Sequence, residues 1–587
     1  MKWDLTYLFE TEEEFLKSID KMQEYVNKLA SYKGKLHEEE SFVEYAIISR
    51  DFEEALGRTY QYASLKSDLN KKDVEALSNL NKVTMILYGY SEACSFQDPE
   101  ILAMGKEKVL DIIDRHPEIE EFRFGMIKLF DQNEHVLDAK SEQLLSYYSP
   151  VLEAGAEMYS SLAVGDATAV DVVLSDGKTY KVTGGNFRAL IADAKTPEDR
   201  KIIFNAVYSC YDTHKNTFAN IYKVVLDSDK ATAKARNYAS SLEAHLDRNK
   251  IPTSVYHNLV EVANTYNDSL KKYLKLRKEV LGLEEYHTYD RFIELAQSDK
   301  KYSYEDAKEL FFKSIEWLPE DFQEKAHEVL RSGFVDVYET VGKRSGAYSS
   351  SMANLHPFIL LNHDNTLDSA FTVAHEAGHS IHSMYSAEAQ PTMLQNYTIF
   401  VAEIASTFNE HILLDYFLKS DNATKEEKIM VIQKAIDSIY ATFYRQTLFA
   451  EYEMIAHDMN EKGMPINYEV LSNIMIELYK KYYDLDITVE EVKKYVWAYI
   501  PHLFYTPFYV YQYATSFAAS FKLYKEVKAG TLGAFEKYIN LLSSGGSKYP
   551  MIQAQEAGVD FTKKDAFMAV VERLEELVSE LEKLLTE

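Results

Sequence analysis

Scarcity of helix breakers limits the fold of this chain more than any other feature. Its 587 residues hold 21 Gly and 12 Pro, where ordinary usage would give about 41 and about 29. Between those few breakers, apolar residues recur three and four apart, the spacing that puts side chains on one face of an α-helix. Phe15, Ile19, Met22 and Val26 form one such stripe, and Phe42, Tyr45 and Ala46 begin the next. The pattern returns over 76–96, 118–130, 139–163, Pro197 to about Leu281, 303–333 and Lys425 to Tyr483. It closes with Phe567, Val570, Val571, Leu574, Leu577 and Leu581. A mainly α chain with more than one core is predicted.

Two stretches break the pattern. Val170–Leu174, Asp176-Gly177 and Thr179–Thr183 read as a small hairpin, ended by Gly184-Gly185. This marks a seam between an N-terminal helical lobe, 1–185, and a catalytic region, 186–587. The second break, Phe358-Ile359-Leu360-Leu361, is a short apolar run expected to be a buried strand.

Fourteen positions after the end of that run comes His375-Glu376-Ala377-Gly378-His379, an H-E-x-x-H pattern. Four residues are close to one helical turn, so both imidazoles face the same way and reach one metal ion. Glu376 then stands beside the metal's open position as a candidate general base. Thr366 and Asp368 offer capping side chains, and Phe371, Ala374, Gly378 and Ile381 form an apolar stripe. Gly378 is costly inside a helix unless something packs closely against it. The bland alternative, a solvated helix that happens to carry His and Glu, accounts for neither the stripe nor the glycine.

A catalytic zinc needs a third protein ligand. Glu403 lies 24 positions after His379, beyond a turn at Pro391, and is flanked by Ala402 and Ile404. A carboxylate in apolar surroundings must be paired, protonated or metal-bound. Glu388 falls in the expected loop, and Glu410 sits in a more polar stretch beside Asn409 and His411. Both stay as rivals, with Glu403 favoured.

Residues 342–410 resemble the thimet-oligopeptidase family of zinc metallopeptidases, especially its oligoendopeptidase F branch. The residues that carry the resemblance are Gly342–Ala347, His356–His363, His375–His379 with His382, Glu403 within Ala402–Ser406, Tyr505–Tyr513 and Leu542–Ser547. Trp3-Asp4-Leu5 is similar to the start of that branch, so the likeness spans essentially the whole chain. It implies one Zn2+ per chain on His375, His379 and Glu403, and cleavage inside short peptides. It also implies two helical lobes around a deep substrate channel, with a small β-element beside the HExxH helix. By position, His502, Tyr505 and Tyr509 match the family's oxyanion donors, while Tyr511 and Tyr513 stay open because the run is rich in tyrosine. Phe358, Ile359, Leu360 and Asn362 are expected to pair with the peptide as an added strand.

Net charge is −29, from 64 basic and 93 acidic residues, which argues against nucleic acid as a partner. Two cysteines, Cys94 and Cys210, exclude a disulfide framework and suggest a reducing compartment. The first residues turn acidic before any apolar core of a signal peptide forms, and no run of about 18 apolar residues spans a membrane. A cytoplasmic protein is expected, a monomer or weak homo-oligomer, with short peptides as its partners. The Gly342–Gly346 loop lacks the frame of a P-loop and reads as backbone close to something, with substrate one candidate. Arg344 in that loop keeps a rival open, a zinc carboxypeptidase capturing a free carboxylate. A non-catalytic peptide-binding scaffold is a second rival, disfavoured by the intact His375, Glu376 and His379.

Overall fold

The helices form where the sequence stripes and caps place them. In the computed structural model, which describes residues 2–137 and 139–586, Thr11 caps Glu12–Ala30 in a reciprocal capping box with Glu14. That helix buries Phe15, Ile19, Met22 and Val26 against the long helix Glu39–Leu69, which contributes Phe42, Tyr45 and Ala46. The closing helix Asp565–Thr586 buries Phe567, Val570, Leu574, Leu577 and Leu581. The fold is mainly α, with two small sheets. Among the described residues, no helix is long and apolar enough to cross a membrane.

The chain divides into two compact units. The first takes Met1–Glu134, Asp299–Phe417 and Leu523–Val559; the second takes His135–Ser298, Leu418–Lys522 and Asp560–Glu587. These units are therefore not the consecutive segments 1–185 and 186–587, and the hairpin, paired from Val170↔Val182 to Val173↔Thr179, lies within the second.

The first unit carries a three-stranded sheet beside the motif helix. Phe358–Leu360 is its central strand, parallel to Val335–Asp336 and antiparallel to Tyr348–Ser350. All three of its residues are fully buried. Trp3 fixes the N-terminal segment to this sheet by donating its indole N–H to the carbonyl of Ile359 at 2.9 Å.

This topology corrects one expectation. Both edges of Phe358–Leu360 are occupied, so no peptide can pair with Phe358, Ile359 or Leu360 as an added strand. The strands at the sheet's edges are Val335–Asp336 and Tyr348–Ser350. Asn362 is also engaged, its amide donating to the carbonyls of Arg344 (3.0 Å) and Gly346 (2.7 Å). What the 342–346 loop approaches is the end of the Glu39–Leu69 helix. Lys71 N–H donates to the Gly342 carbonyl at 2.6 Å, and Arg344 N–H to the Asp68 carbonyl at 2.9 Å. The buried Lys343 ammonium pairs with Asp336 at 2.6 Å. Its loop is thus held from below by a charge pair that would be costly to break.

Candidate metal centre

The motif helix runs Leu367–Ala389, and Thr366 caps it by accepting the Ser369 N–H. A second helix, Ile399–Lys419, returns beside it. Their close approach explains Gly378. A Cβ there would lie 2.5 Å from the Ala405 carbonyl oxygen and 2.6 Å from the Ser406 Cα, so only glycine lets the two backbones meet. The connector between the helices is held by the Leu542–Ser547 loop. Gly546 N–H donates to the Leu394 carbonyl at 2.7 Å, and the Gln390 amide to the Ser543 carbonyl at 2.9 Å.

This contact brings three ligand types together. His375, His379 and Glu403 each offer an atom within 4.8 Å of the others. Each histidine Nε2 lies 3.5 Å from Glu403 Oε2. Ser406, one turn on, donates to Glu403 Oε2 at 2.9 Å and orients that carboxylate. The neighbouring cations hold Glu403 down. Burial works against its charge, but the hydrogen bond from His379 and the charges of His379 and His375 outweigh it, leaving a pKa of about 2.

Glu410 has a different place from the rival ligand role weighed above. Its carboxylate accepts the His375 Nδ1–H at 2.5 Å. That bond fixes the tautomer and leaves Nε2 free to face a metal. Burial opposes charging of His375, yet the Glu410 bond and the charges of Glu410, Glu376 and Glu403 raise its pKa to about 9. The sequence held one signal for this pairing. Glu403 and Glu410 are seven apart, two helical turns, and so share one face.

Glu376 is buried, and one of its oxygens has no protein partner. Burial raises its pKa, opposed by the charges of His375 and His379. A buried carboxylate whose proton affinity is raised by burial, with an open lone pair, suits proton transfer. His382 lies deeper, fully buried, with its ring stacked on Tyr397 at 3.6 Å. His356 and His363 are not part of the cluster. They bond the carbonyls of Pro357 and Tyr302 at the two ends of the central strand.

The remaining sequence candidates belong to the second unit. His502, Tyr509 and Tyr513 pack as a ring cluster with centroid separations of 6.0, 6.0 and 5.5 Å. Tyr505 stands apart, part-exposed, with its ring edge-on to Tyr159. Tyr511 is buried against Tyr256. Phe508 takes a left-handed backbone, φ 55°, and its N–H donates to the buried Glu453 carboxylate at 2.9 Å. A non-glycine residue held there costs about 1–3 kcal/mol, and the surroundings must over-determine it. This kink sets the direction in which Tyr509 leaves the turn.

Residues 190–572 match peptidase family M3, and residues 100–168 match the family described as Oligopeptidase F. The chain belongs to peptidase family M3. Oligopeptidase PepF of Bacillus subtilis is 35% identical over 586 residues, covering 99% of this chain and 87% of that protein. An oligoendopeptidase F homolog of Borreliella burgdorferi is 35% identical over 576 residues, covering 96% and 94%. Among solved structures, oligoendopeptidase-F from Enterococcus faecium superposes with a TM-score of 0.76 at 28% identity, over 98% of this chain and 99% of that one. The protein is thus an M3 enzyme, a peptidase of oligopeptides.

Proposed function

We propose that this M3 peptidase is a zinc-dependent endopeptidase that hydrolyses internal bonds of short, unstructured oligopeptides. The observation that carries this reading is the meeting of His375, His379 and Glu403 within 4.8 Å, beside a buried Glu376 carboxylate with an open oxygen. Two imidazoles and one carboxylate suit one Zn2+ with a vacant position, whereas a structural zinc would take four protein ligands. When bound there, zinc would supply a Lewis acid for the scissile carbonyl and for water.

The chain's own residues then do the rest. Glu376 Oε2 accepts a proton from the attacking water and returns it to the leaving amine nitrogen. Glu410 holds the His375 ring in place, and Ser406 holds Glu403. By the family pattern, His502, Tyr505 and Tyr509 are the candidate donors to the oxyanion, and Tyr513, which packs with His502 and Tyr509, stays open beside them. Of the sheet's two edge strands, Tyr348–Ser350 is the longer and is the candidate to pair with an extended peptide. Arg344, the group a carboxypeptidase would need, is already paired with Asp68 at 3.2 Å. Both cysteines are free, in keeping with a cytoplasmic enzyme, and we expect a monomer or weak homo-oligomer without nucleic-acid or membrane partners. Zinc content of the purified protein, with mass spectrometry of a peptide-library digest, tests the proposal. Internal cuts that vanish on chelation are expected; cuts that persist without metal would overturn it.

A further inference from the structure

One face of the helix Glu39–Leu69 carries two polar side chains that its packing leaves unused. Phe42, Tyr45, Ala46, Ser49 and Glu53 recur at helical spacing and so share a face. That face lines a cavity of about 520 Å³, a size suited to a small organic molecule. Tyr90, Phe122 and Phe124 add rings to the lining, and Met393, Leu394 and Asn396, from the connector that follows the motif helix, line it as well. The whole lining belongs to the first unit, and none of it to the metal cluster.

Acids dominate the polar part of this lining. Ser49 is 7% exposed, and its hydroxyl has no partner. Among the described residues, the half-buried Glu53 carboxylate has neither an ion pair nor a hydrogen bond. Asp98 accepts from the Gln97 amide at 3.3 Å. Glu121 is held by Arg50 and by the Met393 N–H, each at 3.3 Å. Lys128 is the one cation of the lining; it lies 5.9 Å from the Phe124 ring centroid and, among the described residues, pairs with none of these acids. Burial pushes the Glu53 carboxyl up. The Tyr90 hydroxyl is pushed up to about 12, by burial first and then by the charges of Cys94, Glu53 and Asp98. A negative local field has that effect on a phenol.

These features select one class of occupant. An anion would meet Glu53, Asp98 and Glu121. A neutral apolar molecule would leave the Glu53 charge and the Ser49 hydroxyl enclosed without partners, which is costly. A bare metal ion needs donors that converge, and among the described residues these acids do not converge as His375, His379 and Glu403 do. An ammonium donates to carboxylate and hydroxyl alike, and aromatic faces attract it further. We propose that this cavity binds an organic ammonium, with Glu53 as its counter-charge, Ser49 as an acceptor, and Tyr45, Tyr90, Phe122 and Phe124 around its apolar body. The ammonium belongs either to the amino terminus of a short peptide or to a free amine. The site lies outside the peptidase reading and does not depend on it.

Isothermal titration of the full chain tests this at about pH 6.5, where amines carry their charge. The probes are phenethylamine and phenylalaninamide as cations, N-acetylphenylalaninamide as a neutral analogue, and phenylacetate as an anion. Each cation that binds should do so at least about 10-fold more tightly than the neutral and anionic probes, the scale of a charge-assisted hydrogen bond. Tighter binding of phenylalaninamide than of phenethylamine identifies a peptide's amino terminus as the source; the equal or reverse order identifies a free amine. Glu53→Gln keeps the shape of the side chain and should bring the cations to within about twofold of the neutral probe. Ser49→Ala should weaken the cations about 2–10-fold without lowering the melting temperature, since no bond within the protein is lost. Binding of neither cation, equal binding of all the probes, or a cation preference of full size in Glu53→Gln would overturn the proposal. If Glu53→Gln does not fold, undiminished cation binding by Ser49→Ala overturns it instead.

Discussion

Replacing Gly378 by Ala should destabilise the protein and weaken metal binding together, the reverse of the usual effect of that change in a helix. In an exposed helix interior, Ala is favoured over Gly by about 1 kcal/mol. Here the added Cβ would lie 2.5 Å from the Ala405 carbonyl oxygen and 2.6 Å from the Ser406 Cα, where ordinary contact begins at 3.4 Å. The neighbours are backbone and cannot swing aside. The two helices must part by about 1 Å, at an overpacking cost of roughly 1–3 kcal/mol. The net loss of stability is then about 0–2 kcal/mol. The same shift carries Glu403 away from His375 and His379, whereas metal–ligand distances tolerate only about 0.2 Å. Zinc affinity should therefore fall at least about 10-fold, as for loss of a supporting contact. Competition of the metal-free protein with a fluorescent chelator gives the affinity, and a thermal melt gives the stability. A variant as stable as wild type with undiminished zinc affinity would refute the idea that Gly378 sets the distance between the ligand helices.

Glu376→Gln should keep its zinc but lose about 10²–10⁴-fold in kcat, because an amide cannot accept the water's proton; a variant retaining more than about a tenth of activity would remove Glu376 as the base. Glu403→Ala should abolish stoichiometric zinc, whereas Glu410→Ala should reduce metal affinity or activity only about 10–100-fold; equal zinc loss in both would make Glu410 a ligand. Metal affinity should rise with pH. In the metal-free site His375 is held protonated up to about 9, chiefly by its bond to Glu410 acting against burial. Zinc must displace that proton, so affinity should climb about 10-fold per unit below this value and level off above it. Glu403, at about 2, is already charged and contributes nothing to that slope. An affinity that is flat between about pH 6 and 8 would contradict the His375–Glu410 coupling.

The helical content was legible because it rests on local rules, spacing and the absence of breakers. The candidate metal cluster was legible for a similar reason. His375 and His379 share a helical turn, and Glu403 stands out as a carboxylate among apolar neighbours. Gly378 even announced the close helix crossing, though not its partner at Ala405. The strand at 358–360 was visible, but its place at the centre of the sheet was not. Its partners are Val335–Asp336 and Tyr348–Ser350, two and three residues long, too short to show an alternating pattern. Tyr505 was grouped with His502 on position alone. The left-handed Phe508 interrupts the helical count between them and Tyr513, so the ring that joins His502 and Tyr509 lies farther along than a simple spacing suggests. The two compact units interleave three stretches of chain each, a result of long-range contacts that no linear change in composition reveals.

The most direct test uses an internally quenched peptide blocked at both ends, assayed with wild-type protein, with the chelator-treated protein before and after zinc is restored, and with Glu376→Gln. An endopeptidase built on His375, His379 and Glu403 should cut the blocked peptide at an internal bond, stop on chelation, recover with zinc, and stay inactive in a zinc-loaded Glu376→Gln variant. A blocked peptide left intact while unblocked peptides lose residues from their C-terminal end, or cleavage that survives both chelation and Glu376→Gln, would contradict it.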